Sequence, residues 1–167
     1  MTNVEVPNMN NTIVQAVSIG LMVAIFLLNT FRVLKAIKLC KECLIILNSK
    51  AVIKEEVIRV FFIRLYSIMF TVYCLINDYS SAIKYGNKLL TILQESGGKT
   101  IESKLSLKLA TLHYSQSKCG EAKELCEKAL AIGTEIGDRH LEAVTSYGNL
   151  GAVFEALSEY VNGQGHT

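Results

Sequence analysis

The stretch that decides the fold is Ser117–Tyr160, SKCGEAKELCEKALAIGTEIGDRHLEAVTSYGNLGAVFEALSEY. A helical pattern of apolar residues opens at Gly120 and runs to Ile132. The tripeptide GDR, which starts at Gly137, then interrupts the pattern, because glycine and aspartate favour turns over helix interiors. A second helical pattern follows over Leu141–Leu157. Two helical patterns separated by a short breaker predict two consecutive packed helices.

Working outward, the same kind of string recurs earlier in the chain. Three alanines hold the same place in VLKAIKLCKECLIIL, YSSAIKYGNKLLTIL and CGEAKELCEKALAI; they are Ala36, Ala82 and Ala122. Their spacings are 46 and 40 residues, and each follows an apolar helical pattern at the same offset. A fixed period of this length indicates an array of helical hairpins that bury their apolar faces on one another.

The string in Ser117–Tyr160, with its LCEKALAI, IGDR and YGNLG segments, resembles a tetratricopeptide repeat junction. It is similar to the long variety of about 40 residues found in the Leu-Gly-Asn (Pins) scaffolds and in tetratricopeptide repeat protein 28. The resemblance covers the last third of the chain most fully and the first third least. It implies an all-α, right-handed solenoid of antiparallel helix hairpins with about three and a half repeats.

The repeat register divides the chain into segments. The repeats are predicted at about 12–50, 54–98, 100–137 and, in part, 140–160, between disordered tails at 1–11 and 161–167. The helices are predicted at Thr12–Asn29, from Arg32 onward, and at Lys54–Ile76, Tyr79–Gln94, Thr100–Gln116, Cys119–Ile136 and Leu141–Leu157. Asp78 is predicted to cap the fourth helix, and Gly97 with Gly98 to end it.

Composition agrees with this class. The chain has 167 residues, half of them apolar, which suits one domain with a buried core. A single proline, Pro7, and no tryptophan favour an all-α protein. The net charge of +2 is too mild for a nucleic-acid partner. Five cysteines without a convincing secretory signal predict reduced thiols and a cytoplasmic protein.

The first helix has a second interpretation. No charged residue lies between Glu5 and Arg32, and the run Thr12–Thr30 is long and apolar enough to be a transmembrane candidate, in which Ile13–Leu28 would cross the bilayer. The basic residues that follow it would then hold the remainder in the cytoplasm; they are Arg32, Lys35, Lys38 and Lys41. The repeat register instead makes Thr12–Asn29 the first helix of the first repeat. The register is favoured, and a membrane-anchored adaptor is the alternative.

The resemblance also implies a binding site, because the first helix of each hairpin in tetratricopeptide proteins lines a concave groove that holds peptides. Carried onto this sequence, the groove residues are Arg64, Ser67 and Thr71, then Lys104, Lys108, Thr111 and Tyr114, then Thr145, Asn149 and Glu155. In the first repeat the same positions are Ser18, Leu21, Met22, Ile25 and Leu28. That apolar set would suit an amphipathic helix, a missing neighbouring repeat, or lipid.

The cationic groove positions favour an acidic segment or a C-terminal carboxylate, since cationic donors hydrogen-bond carboxylates strongly. Arg64 and Lys104 hold the same position in successive repeats, and Asn149 matches an asparagine that often grips a peptide backbone in this family. The competing interpretation is that these cations form an ordinary solvated face. The full carboxylate-gripping set of the chaperone-binding members is not reproduced, so that partner is not implied.

Other reactive side chains have structural interpretations. Cys40 and Cys43 form a CxxC, but no helix N-terminus or further ligand accompanies them, so they are predicted to be buried structural thiols. His113 is predicted to be a core histidine. The sequence has no Ser-His-Asp spacing and no glycine-rich phosphate loop. No catalytic residue, metal or cofactor is therefore predicted; the rival is a thiol enzyme using Cys40 and Cys43.

The predicted function is that of a non-catalytic scaffold that binds a protein or peptide segment. The partial fourth repeat has one helix, Leu141–Leu157, whose apolar face has no second helix to cover it. An exposed face of this kind marks an interface. From this uncovered face we expect either that the protein self-associates or that the chain belongs to a longer repeat array.

Overall fold

The structure, a computed structural model, describes residues 9–49, 54–137 and 151. Within these residues the chain forms six complete α-helices and no strand. The helices are α1 (Met9–Asn29), α2 (Val33–Asn48), α3 (Glu55–Leu75), α4 (Tyr79–Ser96), α5 (Lys99–Ser115) and α6 (Cys119–Ile136). The predicted all-α fold class is confirmed.

Helix α1 departs from the prediction at its start. It begins at Met9, inside the segment 1–11 that was predicted to be a disordered tail. The helix therefore begins three residues before its predicted start at Thr12. The predicted tail 161–167 and the partial repeat 140–160 lie outside the described residues, apart from the helical Gly151.

The turns that join α1 to α2, α3 to α4 and α5 to α6 share one backbone geometry. Phe31, Asn77 and Ser117 have φ angles of 57°, 58° and 60°. In each turn the next residue donates its N–H to the carbonyl five residues earlier, at 2.8, 3.0 and 3.0 Å. This is the left-handed cap that commonly closes a helix C-terminus. The turns are spaced by 46 and 40 residues, like the three alanines.

The recurring alanines lie in the first turn of the second helix of each hairpin. Ala36, Ala82 and Ala122 are fully buried. Each donates its N–H to the carbonyl four residues earlier, at 3.1, 2.9 and 3.1 Å. A small side chain at this place allows close helix approach, which is the role that the periodicity predicts.

Local capping follows the sequence in α4. The Asp78 carboxylate accepts the Ser81 N–H at 3.0 Å, and this hydrogen bond lowers the pKa of Asp78. The helix ends at Ser96, where Gly97 has a φ of 72° and the Gly98 N–H reaches the Leu93 carbonyl at 3.1 Å. Glycine adopts this conformation without a Cβ penalty.

The chain divides into two compact units, Met1–Tyr85 and Gly86–Thr167. In the first unit, α1 packs on α2 and both contact α3. Val17, Leu21 and Ala24 form the buried stripe of α1 at helical spacing. The ring of Tyr73 in α3 stacks on that of Tyr85 at a centroid distance of 5.5 Å.

The second unit is built on the α5–α6 hairpin. Its core cluster contains Ala110, Ala122 and Cys126, all buried. A buried carboxylate, Glu102 of α5, lies 3.1 Å from the ammonium of Lys128 in α6. The hairpin is thus held by apolar packing together with an ion pair between its two helices.

Candidate functional site

A cleft of about 460 Å³ opens between α1 and α3 in the first unit. Its volume lies within the range of roughly 300–1,000 Å³ that is typical of ligand sites. Its lining residues are Ser18, Leu21, Met22, Ile25, Phe61, Ile63, Arg64, Ser67 and Ile68. The first helices of two successive predicted repeats therefore share one groove.

Apolar side chains form most of this cleft. Leu21 and Phe61 are buried, whereas Met22 and Ile25 remain largely open to solvent, with Met22 63% exposed. Covering exposed apolar surface with a partner is favourable, because it removes that surface from water and lowers the free energy by about 25 cal/mol per Å². The cleft can therefore accept an apolar side chain from a binding partner.

Two polar residues of α3 line the same cleft. Arg64 is exposed, and no ion pair within the described part of the chain includes it. Ser67 is half-buried and donates its hydroxyl to the Ile63 carbonyl at 2.7 Å. Since that bond uses the hydroxyl proton, the Ser67 Oγ can only accept a hydrogen bond from a molecule in the cleft. Arg64 supplies a cationic donor suited to a carboxylate.

The structure brings only some of the predicted groove residues together in this cleft. Arg64 and Ser67 line the cleft together, as do Ser18, Leu21, Met22 and Ile25 of the first repeat, whereas Leu28 does not. Thr71 is exposed on α3 outside the lining and donates to the Ser67 carbonyl at 2.9 Å. On α5, Lys104 and Lys108 are exposed.

The remaining predicted residues of α5 are partly buried. Thr111 donates to the Leu107 carbonyl at 3.1 Å. Tyr114 packs against the core cluster of Ala110, Ala122 and Cys126. Thr145, Asn149 and Glu155 lie outside the described residues.

Three lining residues were missed by sequence reasoning: Phe61, Ile63 and Ile68. Phe61 and Ile68 lie three residues before and four residues after Arg64, which is same-face spacing on a helix. That periodicity was the available signal. Ile63 carries no comparable signal.

The CxxC thiols are buried on α2. Burial, and secondarily the nearby Cys43, raises the pKa of Cys40 to about 12. Burial likewise raises the pKa of Cys43. The nucleophilic or metal-binding form of cysteine is the thiolate, so these groups are protonated and unreactive at neutral pH. The described residues contain no group of three or more His, Cys, Asp or Glu that could hold a metal.

His113 lies in the core of the α5–α6 hairpin, as predicted for a core histidine. Its Nδ1 is buried and has no hydrogen-bond partner among the described residues. Burial lowers the pKa of His113, and the negative charge of Glu121 partly offsets the effect. The ring is therefore neutral at neutral pH.

Comparison with known proteins bears on the fold. Residues 100–161 match the tetratricopeptide repeat family. The chain is also similar to a solved domain from Plasmodium falciparum, the C-terminal TPR-containing domain of a protein assigned to the FK506-binding proteins. That likeness has a TM-score of 0.68 and 18% identity and covers 92% of this chain and 95% of that chain. A comparison with curated protein sequences gives no match.

These findings support a tetratricopeptide-type helical repeat fold. The segment 100–161 covers the α5–α6 hairpin and continues beyond it. Tetratricopeptide repeat domains are generally non-catalytic and bind other proteins. The finer similarity to the Leu-Gly-Asn (Pins) scaffolds and tetratricopeptide repeat protein 28 stays a prediction.

In the part of the chain that the structure describes, two helices are long and apolar enough to cross a membrane, judged by length and composition alone: Asn11–Asn29 and Glu55–Leu75. The core helix of a soluble protein and an N-terminal signal sequence satisfy the same criterion. Both helices contribute buried residues to the first unit. Packing within this unit therefore accounts for part of the apolar surface of both helices.

Proposed function

We propose that this protein is a non-catalytic scaffold that binds a segment of a partner protein in the cleft between α1 and α3. The observation that carries the proposal is the composition of the cleft: an apolar lining with the Arg64 guanidinium and the Ser67 hydroxyl beside it. The family match at residues 100–161 supports a protein-binding role.

The chemistry of the cleft favours an amphipathic helical segment with an acidic side chain. An apolar residue of such a segment would cover Met22 and Ile25, in the way that amphipathic helices lie in hydrophobic grooves. A carboxylate one turn away would pair with Arg64. Lys104 and Lys108 give α5 of the second unit an exposed cationic surface with the same preference. Thr145, Asn149 and Glu155 remain proposed contacts.

The test uses two amphipathic helical peptides that are identical except for one charged position, glutamate in one and lysine in the other. Fluorescence anisotropy of the labelled peptides with the full chain should show tighter binding of the glutamate peptide. The variant Arg64→Glu should reverse that preference, because it replaces the cationic donor with a like charge.

A matched control lies on the same helix. Arg59 is outside the cleft lining and pairs with Glu55 at 3.0 Å. Arg59→Glu makes the same change in charge and should leave the peptide preference unaltered. Equal binding of both peptides by the unaltered chain, or equal effects of the two variants, would contradict the proposal.

The second candidate is a membrane-anchored adaptor in which residues 13–28 span the bilayer; the apolar composition of α1 supports it. Alkaline carbonate extraction of cell membranes separates the candidates. A cytoplasmic scaffold is released from the membranes, whereas a spanning protein stays with them unless the chain starts at Arg32.

Self-association through Leu141–Leu157 is proposed separately. Sedimentation equilibrium of the full chain, compared with a chain that ends at Gly137, tests it.

A further inference from the structure

The turn between α1 and α2 contains a residue that the turn itself does not favour. Asn77 and Ser117 hold the left-handed position in the other two hairpins, and Phe31 holds it here. Asparagine tolerates this conformation, but a bulky aromatic residue does so at a cost. Phe31 is also 91% exposed to solvent. Neither turn geometry nor burial explains a phenylalanine at this position.

Phe31 is part of a larger apolar and cationic surface. Leu34, in the first turn of α2, is 76% exposed. Phe31, Arg32, Leu34 and Lys35 border the same shallow depression, together with Val33. We call this surface the α1–α2 tip.

The charge of the tip has one sign. Arg32 and Lys35 of the tip, and Lys38 one helical turn beyond Leu34 on α2, are exposed, and no ion pair within the described part of the chain involves them. No acidic residue occurs between Glu5 and Glu42. The tip therefore combines two protruding apolar side chains with unpaired cations and no nearby carboxylate from its own segment.

We infer that the α1–α2 tip docks on the surface of an anionic lipid bilayer. Phe31 and Leu34 enter the headgroup and acyl-chain boundary, and the cations contact lipid phosphates and carboxylates. The phenylalanine and arginine of the tip would also suit a protein partner, but two of the three cations are lysines, which protein interfaces disfavour and anionic lipid surfaces attract. Docking of this kind leaves α1 packed through its buried stripe on α2, so no helix has to cross the bilayer.

Flotation with lipid vesicles tests the inference on the full chain. Vesicles of phosphatidylcholine mixed with phosphatidylserine should carry the protein, and vesicles of phosphatidylcholine alone should not. Added salt should weaken binding, because it screens the cations. Phe31→Asn should reduce the affinity for these vesicles at least about tenfold, because the apolar area of the phenylalanine is no longer buried in the bilayer.

Two further variants make the test specific. Ile45 is 69% exposed near the other end of α2, so Ile45→Asn removes a comparable apolar side chain outside the tip and should leave vesicle binding unchanged. The double change Lys35→Gln and Lys38→Gln should lower affinity for anionic vesicles roughly tenfold or more, since each cation contributes about fivefold at such a surface. Circular dichroism checks that each variant is folded.

Several results would overturn the inference. They are the absence of binding to phosphatidylserine vesicles, equal binding to both vesicle types, and equal losses in Phe31→Asn and Ile45→Asn. A change of oligomeric state in Phe31→Asn without vesicles would assign the tip to contact between copies. The peptide-binding assay uses different residues, so failure of either proposal is distinguishable from failure of the other.

Discussion

Gly20 and Cys43 lie against each other where α1 packs on α2, so closely that a Cβ on Gly20 would overlap the Cys43 Sγ. Both residues are buried. Glycine in a helix interior is less stable than alanine by roughly 0.5–1 kcal/mol. The close approach to the Cys43 thiol gives a packing reason for a glycine in the middle of α1.

Gly20→Ala should destabilise the protein by roughly 1–3 kcal/mol, the usual effect of overpacking a core, in spite of the better helix propensity of alanine. In a Cys43→Ala background the overlap disappears, so the same change should be neutral or stabilising by up to about 1 kcal/mol. Urea unfolding of the four proteins in this cycle measures both effects.

Gly120 provides the matched control for that cycle. It is also helical, and a Cβ there would have no atom within 4 Å, so Gly120→Ala should not destabilise. An equal effect of Gly20→Ala with and without the Cys43 thiol would show that the two residues are not coupled.

Lys128→Ala should lower the free energy of unfolding by about 1–3 kcal/mol, because it leaves a buried carboxylate without its cation. Glu102 is only 7% exposed, and its Oε1 lies 3.1 Å from the Lys128 Nζ. Lys123 makes a longer, exposed pair with Glu127 at 3.8 Å in the same helix. Lys123→Ala should therefore change stability by less than about 0.5 kcal/mol. Comparable losses of unfolding free energy in Lys128→Ala and Lys123→Ala would contradict the idea that burial makes the first pair the stronger one.

Stability should depend on pH through His113. Burial lowers the folded-state pKa of His113 below its usual value of 6.5, so below pH 6.5 the unfolded chain binds a proton that the folded chain does not. This contribution is constant above pH 6.5 and is lost as the pH falls toward the folded-state pKa. His113→Leu should flatten the dependence of the urea midpoint on pH in this window. An unchanged slope would assign the dependence to other groups.

Phe31→Asn should raise the free energy of unfolding by roughly 0.5–1.5 kcal/mol, because asparagine adopts the left-handed conformation with less strain. The equivalent position in the α3–α4 turn supplies the reverse experiment. There Asn77→Ala should destabilise, since alanine lacks that tolerance. Thermal unfolding of both variants measures the two shifts, and shifts of the same sign would contradict this account.

Much of the helical framework could be predicted from sequence. Helix α3 spans Glu55–Leu75 where about 54–76 was predicted, and α6 spans the predicted Cys119–Ile136. Asp78 caps α4 and Gly97 follows its end, as their local chemistry indicates. These features depend on residues within a few positions of one another, which a linear sequence displays directly.

The candidate site could be predicted only in part. Arg64 and Ser67 line the cleft with the apolar residues of α1, but Tyr114 packs on the core cluster of the second unit. Position in a repeat indicates which face of a helix a residue occupies. It does not indicate how far a large side chain turns toward its neighbours.

The sequence by itself determined the helices, the cap that Asp78 supplies and the places of the recurring turns, because helical periodicity and capping chemistry are local properties. Only the tertiary structure decided the overlap that Gly20 avoids with Cys43, the buried pair of Glu102 and Lys128, and the cleft between α1 and α3. Each of these joins residues that are 23 or more positions apart. Their contacts arise from the packing of helices, which brings together side chains whose separation along the chain carries no sign of their meeting.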